Sequence, residues 1–113
     1  AEAVRMAEVY RKEFAIAECP SDVESPTVLA AQAANELLDI SGIKASFVLT
    51  IYEGKIYMSA RSIDEVNVQI VAEKLGGGGH INAAGAQFDH TDMEEAIKAL
   101  KQTIDKMIEE GDI

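Results

Sequence analysis

Five consecutive residues, Gly76-Gly77-Gly78-Gly79-His80, carry the strongest chemical signal in this sequence. Four glycines in a row make neither a good helix nor a good strand, because each loses much backbone entropy on ordering. They do let successive backbone N–H groups face one ligand with no Cβ in the way, which is the geometry of an anion nest. His80 adds a directed donor, stronger when protonated. The small residues Asn82-Ala83-Ala84-Gly85 follow, and they are expected to open a short helix whose N-terminal N–H groups would also favour phosphate. A flexible linker is the competing reading. Linkers mix glycine with serine and other polar residues, whereas this run lies between an amphipathic segment and an alanine-rich one. We read it as a phosphate-binding loop.

Ser59-Ala60-Arg61-Ser62 is the second candidate. Arg61 ends an alternating segment, and a guanidinium grips phosphate with two parallel hydrogen bonds. Ser59 falls on the same strand face. Other features have plainer explanations. Asp89-His90 precedes a helix cap. Asp64 and Glu65 are loop carboxylates, and Asp105, Glu109, Glu110 and Asp112 form the solvated face of the last helix. Cys19 with His80 could be imagined as a thiol catalyst, but a strand cysteine is more often simply buried. With two histidines and no Asp/His cluster there is no metal site to assign.

These residues need a scaffold, and the pattern is an α/β domain with a mixed sheet of about four strands and helices packed on it. Ala3, Met6 and Tyr10 share a helical face, so residues 1–10 read as a short lead-in helix. Residues 13–19 read as a strand. Ser25-Pro26 looks like an N-cap with proline at the first helical position. Leu29, Ala33, Leu37 and Ile40 then mark a helix stopped by Ser41-Gly42. Residues 43–52 and 55–61 alternate as a strand pair around a Glu53-Gly54 turn. Ala45, Phe47, Leu49 and Ile51 share one face of the first; Tyr57, Ser59 and Arg61 oppose Ile56, Met58 and Ala60 in the second. Asn67 is placed to cap a helix carrying Val68, Val71 and Leu75. Residues 86–88 form a short strand. Thr91 and Glu94 make a capping-box pattern ahead of a long helix bearing Met93, Ile97, Leu100, Ile104 and Ile108.

Composition limits the ligand. The chain has 113 residues, enough for one domain spanning 1–113, and 48% are apolar. No apolar run spans a membrane. The single cysteine excludes a disulfide framework and favours the cytosol. A net charge of −10 with no basic stripe argues against a long polyanion and for a small anion held locally. The start, Ala1-Glu2-Ala3-Val4-Arg5, has neither a methionine nor a signal-peptide pattern, as expected of a piece of a longer protein.

From Asn67 through Leu75 into Gly76–His80 the sequence resembles the DHH-associated domain, the C-terminal half of DHH phosphoesterases. Three further stretches narrow the likeness: Ala30 to Leu38, Ser41 to Leu49, and Ser59 to Ser62. In that order they are similar to the membrane-anchored cyclic-di-AMP phosphodiesterases of Gram-positive bacteria. The resemblance implies that Gly77, Gly78, Gly79 and His80 grip substrate phosphate, with Arg61 as the substrate-binding arginine and Ser59 a neighbour. It implies no catalytic or metal-binding residue in these 113 residues. Two divalent ions, typically manganese, would sit on a separate DHH lobe carrying Asp and His ligands, with the active site between the lobes. The expected partners are a cyclic dinucleotide or short nucleotide and that DHH lobe; a homodimer is also compatible. The domain itself would be cytoplasmic, without membrane contact, in a membrane-anchored parent. By itself it is expected to bind nucleotide weakly and not to hydrolyse it. The alternatives are an oligoribonuclease or phosphoadenosine-phosphate phosphatase domain, a nucleic-acid binding module, and an interaction domain.

Overall fold

The computed structural model describes residues 7–113. The chain forms β1 (Glu8–Tyr10), β2 (Phe14–Glu18), α1 (Pro26–Leu37), β3 (Ala45–Tyr52), β4 (Lys55–Ser62), α2 (Val68–Lys74), β5 (Gly78–His80), β6 (Ala83–Phe88) and α3 (Met93–Glu110). The strands make one mixed sheet in the order β1-β2-β3-β4-β6-β5. β2 and β3 run parallel, with α1 as the crossover, and every other pair is antiparallel. The α/β class and mixed sheet are as expected, with six strands instead of about four. The two additional strands, β1 and β5, are three-residue edges.

The lead-in helix is corrected at residues 8–10 only. Residues 8–10 pair with β2, while residues 1–6 lie outside those described. Arg11 and Lys12 adopt φ of 53° and 72° and fold the chain back as a hairpin. The Tyr10 hydroxyl donates to the Asp105 carboxylate at 2.8 Å, and Arg11 Nε lies 3.3 Å from the same group. Strand pairing plus these ties outweighs a helical stripe of only three apolar residues. Asp105 is therefore a tether between β1 and α3, not merely a solvated carboxylate.

Each face of the sheet has its own core. On one side Phe14, Ile16, Ala45, Phe47, Leu49, Ile56, Met58 and Ala60 meet α2 and α3 through Val68, Val71, Leu100, Ile104 and Met107. On the other, Ala15, Ala17 and Val48 meet the alanine-rich face of α1. Small side chains let α1 lie close to the sheet, and the buried Ser46 hydroxyl donates to the Ala34 carbonyl at 2.6 Å. Pro26 starts α1 as expected, but Ser25 makes no side-chain cap, and the helix ends at Leu37, before Ile40. Glu53 and Gly54, at φ of 51° and 77°, make the expected hairpin turn. Ile51 is left exposed where β3 outruns its cover. α3 is capped by Asp92, whose carboxylate accepts from the Glu95 N–H at 2.8 Å, in place of the Thr91–Glu94 pair.

Asn67 caps α2 as the sequence predicts, accepting from the N–H groups of Gln69 and Ile70. Asn67→Ala is expected to cost about 1 kcal/mol and about 5 °C of Tm, read by urea and thermal denaturation. An unchanged urea midpoint would show that tertiary packing alone fixes the start of α2.

Candidate functional site

The β4 alternation places Tyr57, Ser59 and Arg61 on one face and buries Ile56, Met58 and Ala60 on the other. α1 covers the first of these faces over β2 and β3 and borders β4. Beyond β4 lie β6 and β5, which present Gln87, Gly85, Ala83, Gly78 and His80 to the same side. The outcome is a shelf: a sheet surface with α1 along one side and a free strand edge along the other.

The register brings the two predicted phosphate ligands into line. Arg61 pairs with Ala83, and Ala83 pairs with His80. Arg61 and His80 thus occupy one row, separated only by an alanine, about 10 Å apart at the backbone. The next row holds Ser59, Gly85 and Gly78. Both side chains can therefore reach over a floor of small residues. Arg61 is half-buried, and its guanidinium donates to the Ala60 carbonyl at 2.8 Å. Among the described residues no carboxylate forms an ion pair with it. His80 is exposed.

This alignment is held from below. The Ile81–Asn82 turn between β5 and β6 is fastened to the end of β4: Asn82 Nδ2 donates to the Ser62 hydroxyl at 2.9 Å, and the Ser62 N–H donates to the Asn82 carbonyl at 3.1 Å. The Ser62 hydroxyl in turn donates to the Val66 carbonyl at 2.6 Å. The Val68 N–H, at the start of α2, donates to the Ile81 carbonyl at 2.9 Å. Arg61 immediately precedes Ser62 and His80 immediately precedes Ile81, so these bonds fix the two candidate ligands relative to each other. Sequence reasoning missed this role of Ser62 and Asn82. The available signal was a polar pair next to the two candidate ligands.

The glycine run is corrected in detail. The Gly76 N–H donates to the Glu73 carbonyl at 3.1 Å, and the Gly77 N–H donates to the Ala72 carbonyl at 2.7 Å. With Gly76 at φ 91°, these are the two bonds of a Schellman motif ending α2. Those N–H groups are spent on the helix, so they do not form an anion nest. Gly78 and Gly79 continue as edge strand β5, and the residues behind His80 extend β6 back to Ala83 instead of opening a helix. A glycine strand is tolerated because β6 lies too close for side chains. A Cβ on Gly77 would run into the Gly85 carbonyl, and one on Gly79 would come within 2.5 Å of Ala84 Cα. Gly78 differs, since a Cβ there would meet nothing within 4 Å. It borders the open shelf, and internal packing does not require it to be glycine.

Cys19 does not join this site. It follows β2, four strand spacings from β5, roughly 19 Å. It is buried, and burial pushes its thiol pKa up, away from a reactive thiolate. His90 sits in the loop before α3 at φ 56°, exposed. Surface hollows lie elsewhere, one lined by Glu8, Ile16, Cys19, Pro20 and Ile97 and another by Tyr10, Lys101 and Asp105. The shelf is singled out by its chemistry.

A family model described as the DHHA1 domain matches residues 12–109. The chain is 45% identical over 103 residues to a Listeria monocytogenes protein named cyclic-di-AMP phosphodiesterase PdeA, covering 90% of this chain and 16% of that protein. It is 42% identical over 106 residues to cyclic-di-AMP phosphodiesterase GdpP of Bacillus subtilis, covering 91% and 16%. The chain therefore spans about a sixth of the length of these curated relatives. A solved exopolyphosphatase-related protein of Bacteroides fragilis superposes with a TM-score of 0.82 at 24% identity, over 94% of this chain and 33% of that one. At that identity the likeness shows the fold.

Proposed function

Because the chain belongs to the DHHA1 domain family, we propose that it is the nucleotide-phosphate binding domain of a phosphodiesterase that hydrolyses cyclic-di-AMP to the linear dinucleotide. The observation that carries this reading is the single row holding Arg61 and His80 beside the bare Gly78. Arg61 supplies a permanent charge in a forked geometry, and His80 supplies a directed hydrogen bond. Both act on phosphate oxygens, where negative charge develops during hydrolysis. Ser59, in the adjacent row, is a further hydroxyl donor.

Family resemblance implies a manganese pair. Among the described residues no three His, Cys, Asp or Glu side chains gather as metal ligands would. These residues do not fit that pair, and the role assigned to them is binding and charge stabilisation. In this reading a DHH lobe of the same protein holds the metals and closes over the shelf, which accounts for a site with only one wall. No described helix is long and apolar enough to cross a membrane, so the anchor of the proposed parent would lie in other segments.

The test is nuclear magnetic resonance titration of the 113-residue chain with cyclic-di-AMP. Amide shifts are expected to cluster at Ser59, Arg61, Gly78 and His80, without turnover. Shifts confined to the Cys19 or Tyr10 hollows would overturn the assignment of the site. Stronger binding of short RNA than of cyclic-di-AMP would move the substrate to oligoribonucleotides.

A further inference from the structure

Two residues at the far end of the shelf have no part in the phosphate row. Tyr57 and Gln87 are directly paired across β4 and β6, and both belong to the face that carries Ser59, Arg61 and His80. Tyr57 lies four residues along β4 from Arg61, about 13 Å at the backbone, a gap shortened by the reach of the side chains at both ends. Ser59, Gly85 and Gly78 make the floor between them. Tyr57 is half-buried, and Tyr52 braces it edge-on with ring centroids 6.0 Å apart and planes at 62°. Gln87 is exposed yet held: its Nε2 donates to Asp89 Oδ1 at 2.8 Å, and Asp89 lies 4.0 Å from Lys55 Nζ. A carboxylate only accepts, so this bond fixes which end of the Gln87 amide is nitrogen. One N–H and the carbonyl oxygen remain for a ligand.

We infer that Tyr57 and Gln87 form the base-recognition end of the shelf and select adenine; this rests on the nucleotide-binding reading above. An aromatic ring is a platform on which any base stacks. The remaining donor and acceptor of Gln87 match the N7 acceptor and N6 donor on one edge of adenine. Guanine offers two acceptors on that edge, N7 and O6, and would leave the amide oxygen facing an acceptor. Tyr57 thus supplies affinity for a base, and Gln87 supplies the choice between purines.

The experiment is steady-state hydrolysis of cyclic-di-AMP and cyclic-di-GMP by the full-length protein, with Tm checked for each variant. Tyr57→Leu is expected to raise KM for cyclic-di-AMP about tenfold, the loss falling on KM more than on kcat, and Tyr57→Phe to rescue most of it. Gln87→Met, at an exposed position, is expected to narrow the adenine-over-guanine ratio of kcat/KM about fivefold at unchanged Tm. Gln87→Met carries the test alone should Tyr57→Leu fail to fold. If these variants keep the wild-type KM and ratio while Arg61→Ala raises KM, the inference is overturned and Tyr57 is only a packing partner of Tyr52. If Arg61→Ala and His80→Ala also leave both substrates unaffected, the nucleotide-binding reading falls and takes this inference with it.

Discussion

Replacing Arg61 or His80 with alanine in the full-length protein is expected to cut kcat/KM for cyclic-di-AMP by at least about tenfold. A hydrogen bond to a charged group is worth about 1.5–3 kcal/mol, which is about ten- to a hundredfold in rate when the bond strengthens in the transition state. Neither side chain belongs to a hydrophobic core, so Tm is expected to stay close to that of the unchanged protein. Arg61→Lys keeps the charge and loses the fork, and it should recover only part of the activity. His90→Asn is the control: an exposed histidine in a loop, replaced by a residue that tolerates its φ of 56°. Should His80→Ala behave like His90→Asn, the glycine-histidine run is structural and the proposed function loses its main support.

The glycines are expected to separate stability from binding. At Gly77 an added methyl runs into the Gly85 carbonyl and comes within 2.7 Å of Ala86 Cα, both backbone groups of the adjacent strand. Neither can yield without breaking the β5–β6 pairing, so Gly77→Ala should cost at least about 1–3 kcal/mol, the range for overpacking. Gly79→Ala adds strain at φ 147° to a similar collision. Gly78→Ala meets open space and should leave the melting curve almost unchanged while weakening nucleotide binding. Denaturation and titration on the same three variants check this. A Gly78→Ala chain with wild-type affinity would show that the ligand does not approach that part of β5.

The strands around the site were legible because β4 alternates cleanly: Ile56, Met58 and Ala60 are buried, and Ser59 and Arg61 face the shelf. Asn67 announced α2 through its cap, and Cys19 proved as ordinary as its surroundings suggested. The local geometry of the glycine run was not legible. Glycine propensity disfavours a strand, yet β6 supplies pairing and leaves no room for side chains, so tertiary context overrides composition. The same override made residues 8–10 a strand, since Tyr10 finds Asp105 ninety-five positions away. Gln87 escaped notice because β6 was expected to begin at Ala86, which hid the register that sets it beside Tyr57.

The shelf takes His80 from a short edge strand of the sheet. β5 has three residues, two of them glycine, and a neighbour on one side only. Its amides should be among the first in the sheet to exchange with solvent, because detaching so short an edge costs far less than unfolding the cores. A nucleotide that touches His80 binds only while β5 is docked. On the proposed function, occupancy and the closing of this edge are expected to be one equilibrium: affinity would scale with the docked fraction, and bound ligand should slow hydrogen exchange along β5. On the proposed function, recognition would include the docking of this edge strand.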